Sequence, residues 1–194
     1  MSSQSDSQLS QDSIMTVMED NRREVIYFAY GSNLSTDQML NRCPNSVPIG
    51  LGYLPDWGWI INSRGYANLI KMSDYNRTAP TPITSSGGGV YGLLYLVPPT
   101  DEDRLDGYEG VPWAYGKEHM NLLRVRDDGG RPLGKVEMLT ALVYLDTQRT
   151  EGDVPRKEYV ERMERGIAEA VEEWGMDADY GDSLRAWLRK GTQA

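Results

Sequence analysis

The chain has 194 residues with one cysteine, one histidine and a formal net charge of −9. That length fits one domain with tails, and the acidic surplus repels phosphate backbones and anionic lipid headgroups, which argues against nucleic-acid and membrane partners. The lone Cys43 forbids an intrachain disulfide or a cysteine-rich metal site, as expected for a protein of the reducing cytoplasm.

Residues 1–22 are mostly Ser, Gln and Asp, lack the basic and apolar regions of a secretory signal, and read as a disordered tail before one domain over 23–191. No apolar run reaches the ~18 residues of a membrane-spanning helix. The first element is Val25-Ile26-Tyr27-Phe28-Ala29-Tyr30, a β-prone run without polar alternation that predicts a central strand. Gly31 breaks it. Ser35, followed three residues later by Gln38, forms a capping box for a short helix that ends before Pro44.

Further β-prone runs span 50–54, 57–62, 67–72, 90–97, 119–125 and 138–145, separated by Gly, Pro and Asp. The stretch 75–89, rich in Pro, Thr, Ser and Gly, reads as a mobile surface loop. Residues 100–106, with Thr100 as N-cap and acids in the first turn, predict a short helix ending near Gly107. After Pro155 the apolar residues Tyr159, Met163, Ile167, Ala170 and Trp174 recur at helical spacing and should face the core; a last helix follows near 182–188. Strands early and helices late predict an α+β fold with a curved, mainly antiparallel or mixed sheet.

Most catalytic constellations fail. His119 has no Gly-x-Ser-x-Gly partner, so it reads as a structural or surface residue, and neither Cys-x-x-Cys nor His-Glu-x-x-His occurs to hold a metal. Ser86-Gly87-Gly88-Gly89 lacks the Lys-Ser/Thr of a phosphate loop. Two segments survive. In Tyr30-Gly31-Ser32-Asn33-Leu34 a buried strand delivers a glycine turn to a helix N-terminus, which is either an ordinary connection or an anion-binding cup. In Asp106-Gly107-Tyr108-Glu109-Gly110-Val111, Glu109 is either one more solvated acid or a carboxyl whose pKa is raised for proton transfer by apolar neighbours.

In this order, Tyr27-Phe28-Ala29-Tyr30-Gly31-Ser32-Asn33-Leu34 and Leu105-Asp106-Gly107-Tyr108-Glu109-Gly110 resemble the two signatures of the γ-glutamylcyclotransferase family. Gly65-Tyr66-Ala67-Asn68-Leu69 is similar to its Gly-x-Ala segment, and Val90-Tyr91-Gly92-Leu93-Leu94-Tyr95 to the strand that follows. Tyr115 and Tyr159 resemble two further family tyrosines, so the resemblance covers residues 24–190. It implies a small, mixed or antiparallel β-barrel surrounded by helices, and conversion of γ-glutamyl amides to 5-oxoproline and a free amine without a cofactor or metal. It further implies that Glu109 is the acid/base, that Tyr27, Phe28, Ala29, Tyr30, Gly31, Ser32 and Asn33 line the glutamyl pocket, and that Tyr115 and Tyr159 lie on the substrate side. The long 75–89 loop and Pro112-Trp113, which should crowd the approach to Tyr115, bear on substrate preference.

Such a reaction needs no enzyme nucleophile, because the substrate's own α-amine attacks its γ-carbonyl. Glu109 would move the protons, and N–H groups of the Gly31–Ser32 turn would hold the developing oxyanion. Free γ-glutamyl amino acids or peptides are the expected substrates. The alternatives are an enzyme specific for glutathione or for γ-glutamyl amines such as γ-glutamyl-lysine, and a catalytically silent binding or interaction module. A homodimer follows from the resemblance and from the prevalence of closed two-fold pairs.

Overall fold

The computed structural model describes residues 23–75 and 80–190; the tail expected over 1–22 and part of the 75–89 loop lie outside them. Strand β1 (Val25–Ala29) is the β-prone run expected at the start, and its last three residues are buried. It pairs antiparallel with β5 (Gly89–Val97), which pairs antiparallel with β2 (Val47–Pro55). β2 continues to β6 (Gly116–Arg126), and β6 forms an antiparallel hairpin with β7 (Pro132–Leu145). A parallel pairing at Tyr27 and Leu142 brings β7 back to β1 and closes the barrel in the order β1-β5-β2-β6-β7. β3 (Trp57–Ile61) and β4 (Ala67–Lys71) make a separate two-stranded sheet.

β6 and β7 are longer than the apolar runs at 119–125 and 138–145. The distal half of this hairpin is largely exposed, so its polar residues do not show the alternation that marks a half-buried strand, yet the pairing satisfies their backbone groups.

Four α-helices are described: α1 (Thr36–Arg42), α2 (Pro99–Glu109), α3 (Lys157–Glu172) and α4 (Ala178–Lys190). The stripe read for α3 is core: Tyr159, Met163, Ile167 and Ala170 are buried, and Gly166 lets the helix approach Leu34. Trp187 of α4 meets Trp59 of β3 edge-on, with ring centroids 5.9 Å apart. Asp101 of α2 is fully buried and accepts bonds from Asn45 N at 2.7 Å and Ser46 Oγ at 3.2 Å, tying α2 to the loop after α1.

Two local expectations change. Helix α2 starts at Pro99 behind Pro98, so Thr100 lies inside the helix; a proline at the first helical position loses no bond, since that N–H has no intrahelical acceptor. The helix also runs through Gly107 to Glu109. Gly110, at φ 67 and ψ 41, adopts the left-handed conformation that ends it, and its N–H reaches back to Asp106 and Gly107. Glu109 is therefore the last helical residue, with its orientation set by a capped helix end.

Gly92 of β5 marks the tightest packing against β1. A Cβ there would sit 2.6 Å from Phe28 Cε2 and 2.8 Å from the Ala29 carbonyl oxygen, and backbone in a closed barrel has little room to retreat. Gly92→Ala should cost about 1–3 kcal/mol, measured as a lowered denaturant midpoint; an unchanged midpoint would show that the barrel relaxes there.

Candidate active site

The turn after β1, the ends of α1 and α2, the β3–β4 connection and the first turns of α3 enclose a cavity of about 200 Å³. Tyr27, Tyr30, Gly31, Ser32, Asn33, Glu109, Tyr115 and Tyr159 line it, so most of the side chains singled out in the sequence converge from three distant segments. Phe28 and Ala29 do not. Phe28 points from the opposite face of β1 toward Gly52 and Gly92, and both residues are fully buried in the core. Trp113 is 86% exposed and does not line the cavity, so it leaves the approach to Tyr115 open. His119 lies exposed on β6, away from the cavity.

Glu109 is partly accessible through the cavity, and desolvation by the surrounding protein raises its carboxyl pKa from 4.5 to about 7, against the opposing pull of Arg42, Arg64 and Arg162. A carboxyl poised there can both take and give a proton near neutral pH. Asn33 orients it. Its Nδ2 donates to Glu109 Oε1 at 3.4 Å and to the Tyr27 hydroxyl at 3.1 Å, while its Oδ1 accepts from Gln38 Nε2 at 2.9 Å and Arg42 Nη1 at 3.1 Å. These partners fix which way the amide faces. Asn33→Asp would set a second negative charge against Glu109, and the Glu109 pKa should move up by about one unit. Carboxyl-carbon NMR titration reads this, and an unmoved pKa would remove Asn33 as the neighbour that tunes it.

The anion cup expected at the helix N-terminus is arranged differently. Residues Ser32–Leu34 form a 3₁₀ turn, and α1 begins only after the N-cap Ser35, whose side chain accepts from Gln38 N as the capping box predicts. The Gln38 side chain does not reciprocate; it reaches Ser32 Oγ and Asn33 Oδ1. The anion at the start of α1 is the protein's own Glu169, which accepts from Thr36 N at 2.9 and 3.0 Å. In the turn itself, Ser32 N–H points to the Tyr159 hydroxyl at 3.3 Å. Gly31 permits this closeness, since a Cβ there would lie 2.8 Å from that hydroxyl.

Burial holds the Tyr159 pKa well above the ordinary tyrosine value, so the hydroxyl keeps its proton. With the Ser32 N–H directed at the oxygen, that proton is available to a ligand. Tyr115 OH donates to the Ala67 carbonyl at 2.7 Å and is committed to the fold.

A family model described as "Gamma-glutamyl cyclotransferase, AIG2-like" matches residues 27–161, which takes in both the turn and Glu109. The chain belongs to this family. Solved structures agree on the fold. A γ-glutamyl cyclotransferase structure is 22% identical with a TM-score of 0.64, covering 85% of this chain and 88% of its own. An uncharacterized protein from Homo sapiens is 22% identical with a TM-score of 0.62, covering 86% and 89%. YkqA from Bacillus subtilis is 18% identical with a TM-score of 0.61, covering 91% of this chain and 58% of its own. No curated protein matches the chain in sequence.

The cavity of this family member also contains residues that sequence reading passed over: Arg42, Arg64, Tyr66, Tyr108, Tyr144 and Arg162. Four of them had a signal nearby, Tyr108 as the residue before Glu109 in its motif. Arg64 and Tyr66 flank Gly65, the first residue of the Gly-x-Ala segment, and Arg162 stands three residues after Tyr159, hence on the same face of α3. Arg42 and Tyr144 had none, because they sit at an ordinary helix end and on an apolar strand. Among the described residues, no group of three or more His, Cys, Asp or Glu is placed to hold a metal ion, and no helix is long and apolar enough to cross a membrane.

Proposed function

We propose that the protein converts γ-glutamyl amino acids or peptides to 5-oxoproline and the free amine. The observation that carries this reading is a single carboxyl, Glu109, with its pKa near 7, facing a cavity otherwise lined by tyrosines, arginines and the Gly31–Ser32 turn.

The chemistry follows from the substrate. Glu109 as carboxylate takes a proton from the α-ammonium, and the freed amine attacks the γ-carbonyl carbon of the same molecule, forming the five-membered lactam bond. The carbonyl oxygen becomes an oxyanion. Glu109 then returns its proton to the amide nitrogen, the carbon–nitrogen bond breaks as the carbonyl reforms, and the ring nitrogen gives up its second proton to the departing amine, which leaves as its ammonium. The attacking and attacked atoms are already joined, so orientation within the cavity replaces a protein nucleophile or a cofactor. The Tyr159 hydroxyl, which keeps its proton while its oxygen accepts from the Ser32 N–H, is the donor suited to the oxyanion.

The test is 5-oxoproline release from γ-glutamyl amino acids, glutathione and γ-glutamyl-lysine. Release from the first group at the highest kcat/KM supports the reading; preference for either of the others moves it to the corresponding specific cyclotransferase, and no release from any substrate leaves a binding module. The same reading describes a cytoplasmic enzyme that acts on small molecules, and light scattering in solution decides whether it works as a homodimer.

A further inference from the structure

Three guanidinium groups face the cavity, and two of them are already engaged. Arg42 donates to Asn33 and lies over the Tyr108 ring at 4.8 Å. Arg162 pairs with Glu158 at 2.9 Å and reaches Ser32 Oγ at 3.4 Å. Arg64 is different. Its Nη1 is buried without a hydrogen-bond partner, and among the described residues no carboxylate stands within ion-pair distance of it.

A buried cationic N–H left unpaired is costly, and a ligand anion removes that cost. The group is also held ready. Arg64 lies in the β3–β4 turn, where Asn62 Oδ1 accepts from Arg64 N at 3.1 Å, and Arg156 Nε donates to the Arg64 carbonyl at 2.8 Å. Its guanidinium lies over the rings of Tyr115 and Tyr66, with centroids 5.1 and 5.5 Å away. Asn62 Nδ2 in turn bonds the buried Asp146 at 3.0 Å, which anchors the turn to the end of β7.

Resting on the reaction proposed above, we propose that Arg64 is the residue that selects the leaving group, by binding the carboxylate of the departing amino acid. The assignment follows from the substrate's connectivity. The glutamyl α-ammonium and α-carboxylate share one carbon, so an ammonium on Glu109 keeps that carboxylate in the Glu109 neighbourhood. Arg42 belongs to that neighbourhood, because it bonds the same Asn33 side chain that bonds Glu109. Arg64 approaches from the tyrosine wall, over the rings of Tyr115 and Tyr66, and bonds none of the groups that hold Glu109, which leaves it for the far side of the scissile amide. A substrate with a carboxylate on each side of the amide then meets a cation at each end.

The test compares γ-glutamyl-alanine with γ-glutamyl-ethylamide, which is the same molecule without the leaving-group carboxylate. Wild type should favour the first by about 10- to 100-fold in kcat/KM, the worth of a charge-assisted bond. In Arg64→Met that ratio should fall below about threefold, with Arg64→Lys in between because it keeps the charge and loses the planar fork. An unchanged ratio, with both substrates losing equally, would assign Arg64 to the glutamyl end or to the fold and overturn the proposal. The same ratio, measured as affinities by calorimetry on Glu109→Gln with and without Arg64→Met, separates the two readings. If wild type turns over neither amide, the reaction reading fails, and the calorimetric ratio still decides whether Arg64 reads the carboxylate.

Discussion

Glu109→Gln should leave a folded protein whose 5-oxoproline release is slower by about 10²–10⁴-fold or more. Glutamine keeps the size of the side chain, and its carbonyl oxygen can still accept from Asn33 Nδ2, so the cavity need not rearrange. It cannot take a proton from the substrate ammonium. Wild type and variant assayed side by side on a γ-glutamyl amino acid decide the matter, with circular dichroism to confirm the fold. A folded variant of near-normal rate would mean that another group moves the proton, and the cavity offers no second carboxylate in its lining.

The same substitution should stabilise the protein, increasingly so as pH rises above about 4.5. Burial raises the Glu109 pKa from 4.5 to about 7, so the folded state holds this proton more tightly than the unfolded chain. Below about 4.5 both states are protonated and the group carries no penalty. As pH rises from 4.5 through about 7, the unfolded chain ionises freely while the folded one resists, and stability falls. The full displacement corresponds to about 3 kcal/mol, less where water entering the cavity screens the charge. Glu109→Gln never ionises, and should therefore exceed wild type by about 1–3 kcal/mol at pH 8 and match it near pH 4. Urea titrations at the two values read this. An equal difference at both would trace it to packing and not to a buried charge. The activity of wild type should follow the same ionisation, with kcat/KM rising toward a plateau above about pH 7, because the proton acceptor is the carboxylate form.

A site that destabilises its own fold is consistent with the arrangement around it. Desolvation is the larger influence on Glu109, and the opposing cations Arg42, Arg64 and Arg162 come from a helix end, a turn and a second helix. None is near Glu109 in sequence. The fold holds them there through groups that are themselves structural, such as Asp101 under α2 and Asp146 under the β3–β4 turn.

How far the sequence led can be judged residue by residue. β1, the break at Gly31, the capping box at Ser35 and the apolar stripe of α3 are local patterns, each set by side-chain period or backbone chemistry, and each was legible. The extent of α2 was not. Gly107 looks like a stop, but it lies in open space, and the residue that can turn into the left-handed conformation against the helix end is Gly110. Phe28 and Ala29 shared a motif with cavity residues, yet Phe28 faces the opposite side of β1 from Tyr27, toward Gly52 and Gly92, and both are fully buried in the core. The occupant of the α1 N-terminus, Glu169, stands 133 positions from Thr36, beyond the reach of any local rule.

By itself, the sequence determined the order and type of the elements, the acidic, single-cysteine character of the chain, and the identity of the two segments that meet at the site, since these depend on periodicity, capping and composition. Tertiary structure alone decided that the barrel closes through Tyr27 and Leu142, that Asn33 bonds Glu109, and that three arginines face the cavity, one of them with a buried N–H unpaired among the described residues. The reason is physical. A pKa, a cavity and an orphaned charge are properties of what surrounds a group, and in this chain the surroundings come from residues a hundred positions apart, brought together by closure of the barrel and packing of α3 against the Ser32–Leu34 turn.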